Sequence, residues 1–278
     1  MMIIQTAAFA AWVPAVAPSA RNNAREPVAG TAMRRLGLAL ALAWGCASGA
    51  AMAADRPERL VMPPPMLKAI ASMPQIADPA DAAERRINAA LKRLDQAVVK
   101  AARACKGGDW QRSVDAPMRG PGFLSLAVTD SWYCADAAHP DAATFSIVYD
   151  LVTGRPVDWT RLLPPSLTGT VALEEQADGS KIVTLASRRL FDLYLAGYGT
   201  GEDKRDDLDE CKQAFADLAG DGPPGMMVWL DAKGGGLAVQ VGLPHVVQAC
   251  EEPVVIPAAV LRLEGAQPAL LRAFESGR

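Results

Sequence analysis

Gly122–Thr129 reads GFLSLAVT, and Thr144–Trp159 reads TFSIVYDLVTGRPVDW. These two stretches decide the fold. In the first, Phe123, Ser125 and Ala127 fall on one face of an extended chain, and Leu124, Leu126 and Val128 on the other, a period of two. The second opens on Thr144–Asp150, rich in β-branched and aromatic side chains that suit a pleated surface. Thr153-Gly154 then supplies a turn into Val157-Asp158-Trp159, so a hairpin is expected. Thr160 is placed to cap a short helix through Leu163, which Pro164-Pro165 end.

Downstream the same two periods alternate. Val171–Glu175 and Ile182–Leu185 flank Asp178-Gly179, a second hairpin signal. Ser187–Leu195 reads as a helix stopped by Gly197, and Leu208, Cys211, Phe215 and Leu218 recur at helical spacing. Met226–Leu230 and Leu237–Val241 are strands joined through Lys233–Gly236, and Val254–Ile256 is a last short strand. Ala258–Leu263 and Pro268–Phe274 read as terminal helices. Upstream, Asp78-Pro79 looks like a helix start, and Ile87, Leu91, Leu94 and Val98 form an apolar stripe ending near Cys105, with Gly107-Gly108 beyond. Helices interleaved with hairpins argue for an α+β fold, a single domain of antiparallel strands packed with helices over 78–278. Residues 55–77, with Pro57, Pro63, Pro64, Pro65 and Pro74, read as an extended linker before it.

The 278 residues are 50% hydrophobic and 21% charged, which excludes wholesale disorder. The net charge of −3, without a Lys/Arg run, argues against a nucleic-acid partner. Met33-Arg34-Arg35, the apolar Leu36–Trp44 and the small-residue stretch Gly45–Ala54 follow the order of a secretory signal, with cleavage after Ala53 or Ala54. The apolar core is too short for a membrane span, and no other run approaches one, so no transmembrane segment is expected after signal removal. Residues 33–54 are therefore read as a signal peptide, 1–32 as an extension ahead of the true start at Met33, and the destination as periplasmic or secreted. Removing the signal takes Cys46 with it and leaves Cys105, Cys134, Cys211 and Cys250. An even count in an exported chain reads as disulfides. Three pairings are open; Cys105–Cys134 with Cys211–Cys250 is favoured because each pair falls within one half of the domain.

Tyr133-Cys134-Ala135-Asp136-Ala137-Ala138-His139-Pro140, leading into Phe145–Arg155, resembles the C-terminal ectodomain family shared by RsiV-type anti-sigma factors and PdaC-type peptidoglycan deacetylases. That family, a domain of unknown function, has an aromatic residue, Gly-Gly-Ala-His, and then a strand ending in aromatic-Asp-Leu-x-x-Gly-Lys. Val228–Asp231, Gly236–Val239, Pro244–Val247 and Val254–Pro257 look like its closing strands. Asp136-Ala137 stands here where the family has Gly-Gly. The resemblance covers roughly 120–265 and implies an extracytoplasmic α+β module, which in relatives senses lysozyme or accompanies wall-acting enzymes. It supplies no catalytic residues.

Tyr133, Asp136, His139 and His245 are the candidate ligand-binding residues. The two histidines are far apart in sequence and lack His-x-x-His or Cys-x-x-Cys spacing, so neither a metal nor any other cofactor is expected. The acidic run Glu202–Glu210 could meet a cationic partner or simply start a helix. No Gly-x-Ser-x-Gly elbow or phosphate loop is present. The sequence therefore favours an exported non-catalytic binding module, enzymatic activity being the less favoured reading and no catalytic residue being named. Its partner would be peptidoglycan or a cationic wall-acting protein such as lysozyme. The alternatives are a small hydrolase using His139 or acidic residues, and an envelope assembly factor.

Overall fold

A computed structural model describes residues 59–135, 137–200 and 207–275. The proposed signal and extension, residues 55–58 of the linker, Asp136 and most of the 202–210 acidic run lie outside the described residues. Two short strands, β1 (Leu60–Val61) and β2 (Gln75–Ile76), pair with each other and precede the long helix α1 (Ala82–Ala104). Its stripe lies where the spacing puts it, with Ile87, Leu91 and Val98 buried. Its start does not. The cap is Asp81, whose carboxylate accepts from the Glu84 N–H at 2.9 Å while Glu84 accepts from the Ala80 N–H. This reciprocal pair satisfies two otherwise orphaned donors, which Asp78, at φ 49°, cannot do.

Four antiparallel strands follow in a meander: β3 (Asp109–Arg119), β4 (Phe123–Tyr133), β5 (Asp141–Asp150) and β6 (Arg155–Pro156). The two faces of β4 separate as its alternation requires. Leu124, Leu126 and Val128 join Phe145 and Tyr149 in a core under Ile87 and Leu91 of α1. At the β5–β6 turn Gly154 adopts φ 65°, and a Cβ there would sit 2.3 Å from the Ala83 carbonyl oxygen, so only glycine lets the turn approach α1. Beyond it Asp158, not Thr160, caps the single 3-10 turn Trp159–Arg161 through the Thr160 N–H. Pro164-Pro165 do not end a helix; Pro165 opens the short α2 (Pro165–Thr168), where its missing N–H costs nothing.

The second sheet has the antiparallel order β11-β10-β9-β8-β7, from β7 (Thr170–Glu175), β8 (Lys181–Ala186), β9 (Met226–Asp231), β10 (Gly236–Val241) and β11 (Val254–Pro257). The helices α3 (Arg188–Gly197), α4 (Leu208–Leu218), α5 (Ala258–Leu263) and α6 (Pro268–Glu275) complete the fold. Phe191, Tyr194, Phe215, Leu261, Leu270 and Phe274 from these helices share one core with Val228, Leu237 and Val239. β9 and β10 are buried along almost their whole length, which explains why their sequences are continuous apolar runs.

β9 meets β8 only at the pair Leu185–Met226. Past that point its backbone groups on this side need other partners. The first sheet provides them: the Ser146 hydroxyl donates to the Val228 carbonyl at 3.1 Å, and the Leu230 N–H donates to the Ser125 hydroxyl at 3.1 Å. Two buried serines thus join the sheets.

The proline-rich stretch expected as a linker is, from Arg59 onward, part of the fold. Ile70, Met73 and Ile76 are buried, because apolar residues between the prolines give the segment something to bury. It is also hydrogen-bonded: the Met73 N–H donates to Asp95 and the Ile76 N–H to Asn88, both on α1 and both at 2.8 Å. Ala71 and Ala69 exchange backbone bonds with Arg112 on β3.

Candidate functional site

Both disulfides favoured from the sequence are present. Cys105–Cys134 ties the end of α1 to the residue after β4, and Cys211–Cys250 ties α4 to the turn before β11. Tyr133 is the last residue of β4, about half exposed, and pairs across the sheet with Asp109. His139 is exposed in the β4–β5 connection, its Nδ1 3.0 Å from the Pro140 carbonyl oxygen. His245 opens the 3-10 segment His245–Cys250. Among the described residues no group of three or more His, Cys, Asp or Glu is arranged to hold a metal, and no helix is long and apolar enough to cross a membrane.

The feature that gathers chemistry lies elsewhere, in a cleft of about 360 Å³ between the start of β5 and the β7–β8 hairpin. Asp141, Glu174, Glu175 and Glu251 line it, together with Trp132 and Gln248. Each carboxylate is set by a different element. Asp141 accepts from the Ala142 N–H and begins β5. Glu174 accepts from the Thr184 hydroxyl across the hairpin at 2.6 Å. Glu251 follows Cys250, and the Leu243 N–H donates to it at 2.7 Å, with Gln240 beside it. Burial pushes the Glu251 carboxyl above the usual glutamate range; the Leu243 and Gln240 hydrogen bonds pull it back, and the Asp141 charge adds to the rise. A second hollow of about 630 Å³ shares Ala142–Thr144, Gln248 and Glu251 with the cleft and reaches Trp229.

Sequence reasoning missed this site. Asp141, Glu174 and Glu251 are scattered along the chain, and only the packing of the β7–β8 hairpin and the Glu251 loop against β5 brings them together. The one local signal is Glu251 immediately after a disulfide cysteine, which fixes its backbone.

A buried ion cluster supports one wall. Arg112 on β3 donates through Nε and Nη2 to Asp130 on β4 at 2.7 and 2.5 Å, and through Nη2 to Asp178 at the β7–β8 turn at 2.9 Å. The three side chains are almost wholly buried. The guanidinium also lies 5.5 Å from the centre of the Phe145 ring. Arg112 therefore pins the hairpin that carries Glu174 and Glu175 to the first sheet.

No family model and no curated protein matches the chain. Among solved structures, a DUF3298 family protein from Pseudomonas aeruginosa PAO1 is similar at 12% identity and a TM-score of 0.49, over 78% of this chain and 97% of that one. A DUF3298 family member from Bacteroides fragilis NCTC 9343 is similar at 12% identity and a TM-score of 0.42, over 69% of this chain and 68% of the other.

Proposed function

We propose that this chain is an exported, non-catalytic binding module that recognises a cationic protein acting on the cell wall, with lysozyme as the type case. The carrying observation is the interlayer cleft, where Asp141, Glu174, Glu175 and Glu251 converge from three parts of the chain. Carboxylates concentrated in a concave, partly apolar site favour a basic partner and speed its encounter. The secretory pattern at 33–54, the two disulfides and the resemblance to wall-associated ectodomains support the same reading.

The test is calorimetric titration of the purified protein with lysozyme, beside co-sedimentation with peptidoglycan sacculi. Saturable lysozyme binding, weakened about tenfold by Glu174→Gln, Glu175→Gln and Glu251→Gln together, is expected for desolvated charge pairs. Lysozyme binding that ignores these substitutions sinks the cleft as the site. Binding to sacculi alone transfers the role to a wall fragment.

One observation favours a second reading. Glu251, with its carboxyl pushed up mainly by burial, lies close enough to the Asp141 carboxylate to feel its charge, and a carboxyl so raised suits a general acid. Release of labelled sugar from sacculi, abolished by Glu251→Gln, would establish a hydrolase.

A further inference from the structure

We infer that the hollow between α1, β5 and the β7–β8 hairpin binds a single-chain fatty carboxylate, its alkyl tail inside and its head toward Arg93, Lys181 and the Tyr149 hydroxyl. This site is separate from the acidic cleft and does not depend on it.

The hollow follows from how the hairpin is attached. β8 meets β9 only at Leu185–Met226, so the rest of the hairpin is not paired to β9. A space of about 280 Å³ lies between its Leu173 and Val183, Leu94 on α1, Ile147 on β5, and Val157 and Trp159 beyond β6. Val157 and Trp159 are buried and form the floor; Leu94, Ile147 and Val183 are only partly covered, and Leu173 is 69% exposed. Apolar side chains from four parts of the chain thus wall one space, and an alkyl chain entering it would remove them from water. The volume equals that of about nine waters, enough for a chain of roughly eight to ten carbons.

The polar groups on the lining select the head. Arg93 and Lys181 are exposed, so they stand where the hollow meets solvent, and no acidic residue is among the described residues that line it. Lys181 faces Glu175 across the hairpin, yet among the described residues neither cation has an ion pair or a side-chain hydrogen bond. The acidic cleft beyond Ile182 has the opposite lining, four carboxylates and no lysine or arginine. Tyr149 is the third group. It lines the hollow, is 3% exposed, and its hydroxyl has no hydrogen-bond partner among the described residues. A buried hydroxyl without a partner costs free energy that a ligand oxygen can restore. Burial pushes the phenol up to about 12 against the opposing charge of Arg93, so it keeps its proton to donate. A neutral head would leave two cations without a counter-charge, and a cationic head would be repelled by both. A carboxylate uses all three groups.

The test is calorimetric titration of the purified protein with decanoate, beside decyltrimethylammonium, which has the same tail, and hexanoate and octanoate, which have the same head. Decanoate is expected to bind and to shift the amide resonances of Ile147 and Val183. Octanoate is expected to bind about tenfold more tightly than hexanoate, because two more methylenes leave water. Decyltrimethylammonium is expected to bind at least about tenfold more weakly than decanoate. Arg93→Gln with Lys181→Gln, both at exposed positions, is expected to weaken decanoate about tenfold while leaving the thermal midpoint unchanged. Equal affinity for the anionic and cationic amphiphiles overturns the site, as does affinity indifferent to chain length or to the double substitution. Absence of decanoate binding overturns it too. None of these outcomes bears on lysozyme binding at the cleft, so the two readings fail separately.

Discussion

The two sheets solve the problem of buried polar groups in opposite ways. The first sheet, under α1, buries charge: Arg112 is enclosed between Asp130 and Asp178, linking three chain segments. In the second, β9 and β10 are buried and almost wholly apolar, and Tyr194 and Tyr198, on α3 and at its end, share that core and give their hydroxyls to nearby backbone. The Tyr194 hydroxyl donates to the Glu252 carbonyl at 2.9 Å and the Tyr198 hydroxyl to the Cys250 carbonyl at 3.1 Å. Tyr194 stacks on Phe191, and both tyrosines meet Phe215 edge to face. The contrast teaches that the second sheet and its helices are held together chiefly by apolar packing. The first sheet carries the charged joint that holds the β7–β8 hairpin in place, and the cleft lies beside that joint.

The largest test of this contrast is Arg112→Ala. It leaves two carboxylates buried without their cation, and a loss of about 3–5 kcal/mol is expected in urea unfolding. Replacing Arg112, Asp130 and Asp178 together by apolar residues of similar size is expected to recover most of that loss, since the pair of charges matters less than an unpaired one. If the triple change is as damaging as the single one, the cluster is more than a joint. In the second sheet Tyr198→Phe removes one hydroxyl and strands the Cys250 carbonyl, an expected loss of about 1–2 kcal/mol by the same measurement. A loss equal to that at Arg112 would erase the distinction between the halves.

The smallest effect is at the cleft itself. Because the folded protein holds the Glu251 proton more tightly than the unfolded chain, this residue favours folding at low pH. That contribution fades as pH rises through its elevated value. Glu251→Gln should therefore flatten the decline in thermal midpoint just above the usual glutamate range. The same ionisation charges the cleft, so affinity for a basic peptide should rise with pH over the window in which stability falls. A midpoint whose pH dependence is the same in both proteins would contradict the direction of the shift.

Much of the fold was legible because its elements obey simple periods. The faces of β4, the stripe of α1 and the paired runs of β9 and β10 need only local pattern to be found. β3 does not. Its inward positions run Trp110, Arg112, Val114, and an arginine on the buried face defeats any reading based on hydrophobic alternation. Pro117 compounds this; it sits in the register shift between Asp115 and Met118, where a strand tolerates proline. The strap over α1 was hidden by its prolines, which resemble a linker until Ile70, Met73 and Ile76 are seen to be buried. The candidate site was hardly legible at all. Tyr133 and His139 were found through a resemblance, whereas the cleft carboxylates are exposed-looking residues in unremarkable contexts whose meaning comes only from the stacking of two sheets.

The order of the bridges along the chain has a consequence for how the protein is made. Cys105 joins the next cysteine, Cys134, and Cys211 the next after that, Cys250. On the proposed export route, a chain threaded from its N-terminus into an oxidising compartment can close the first bridge before Cys211 arrives. Simple first-come oxidation thus yields the native connectivity, and an oxidant suffices where a shuffled pattern would also demand an isomerase.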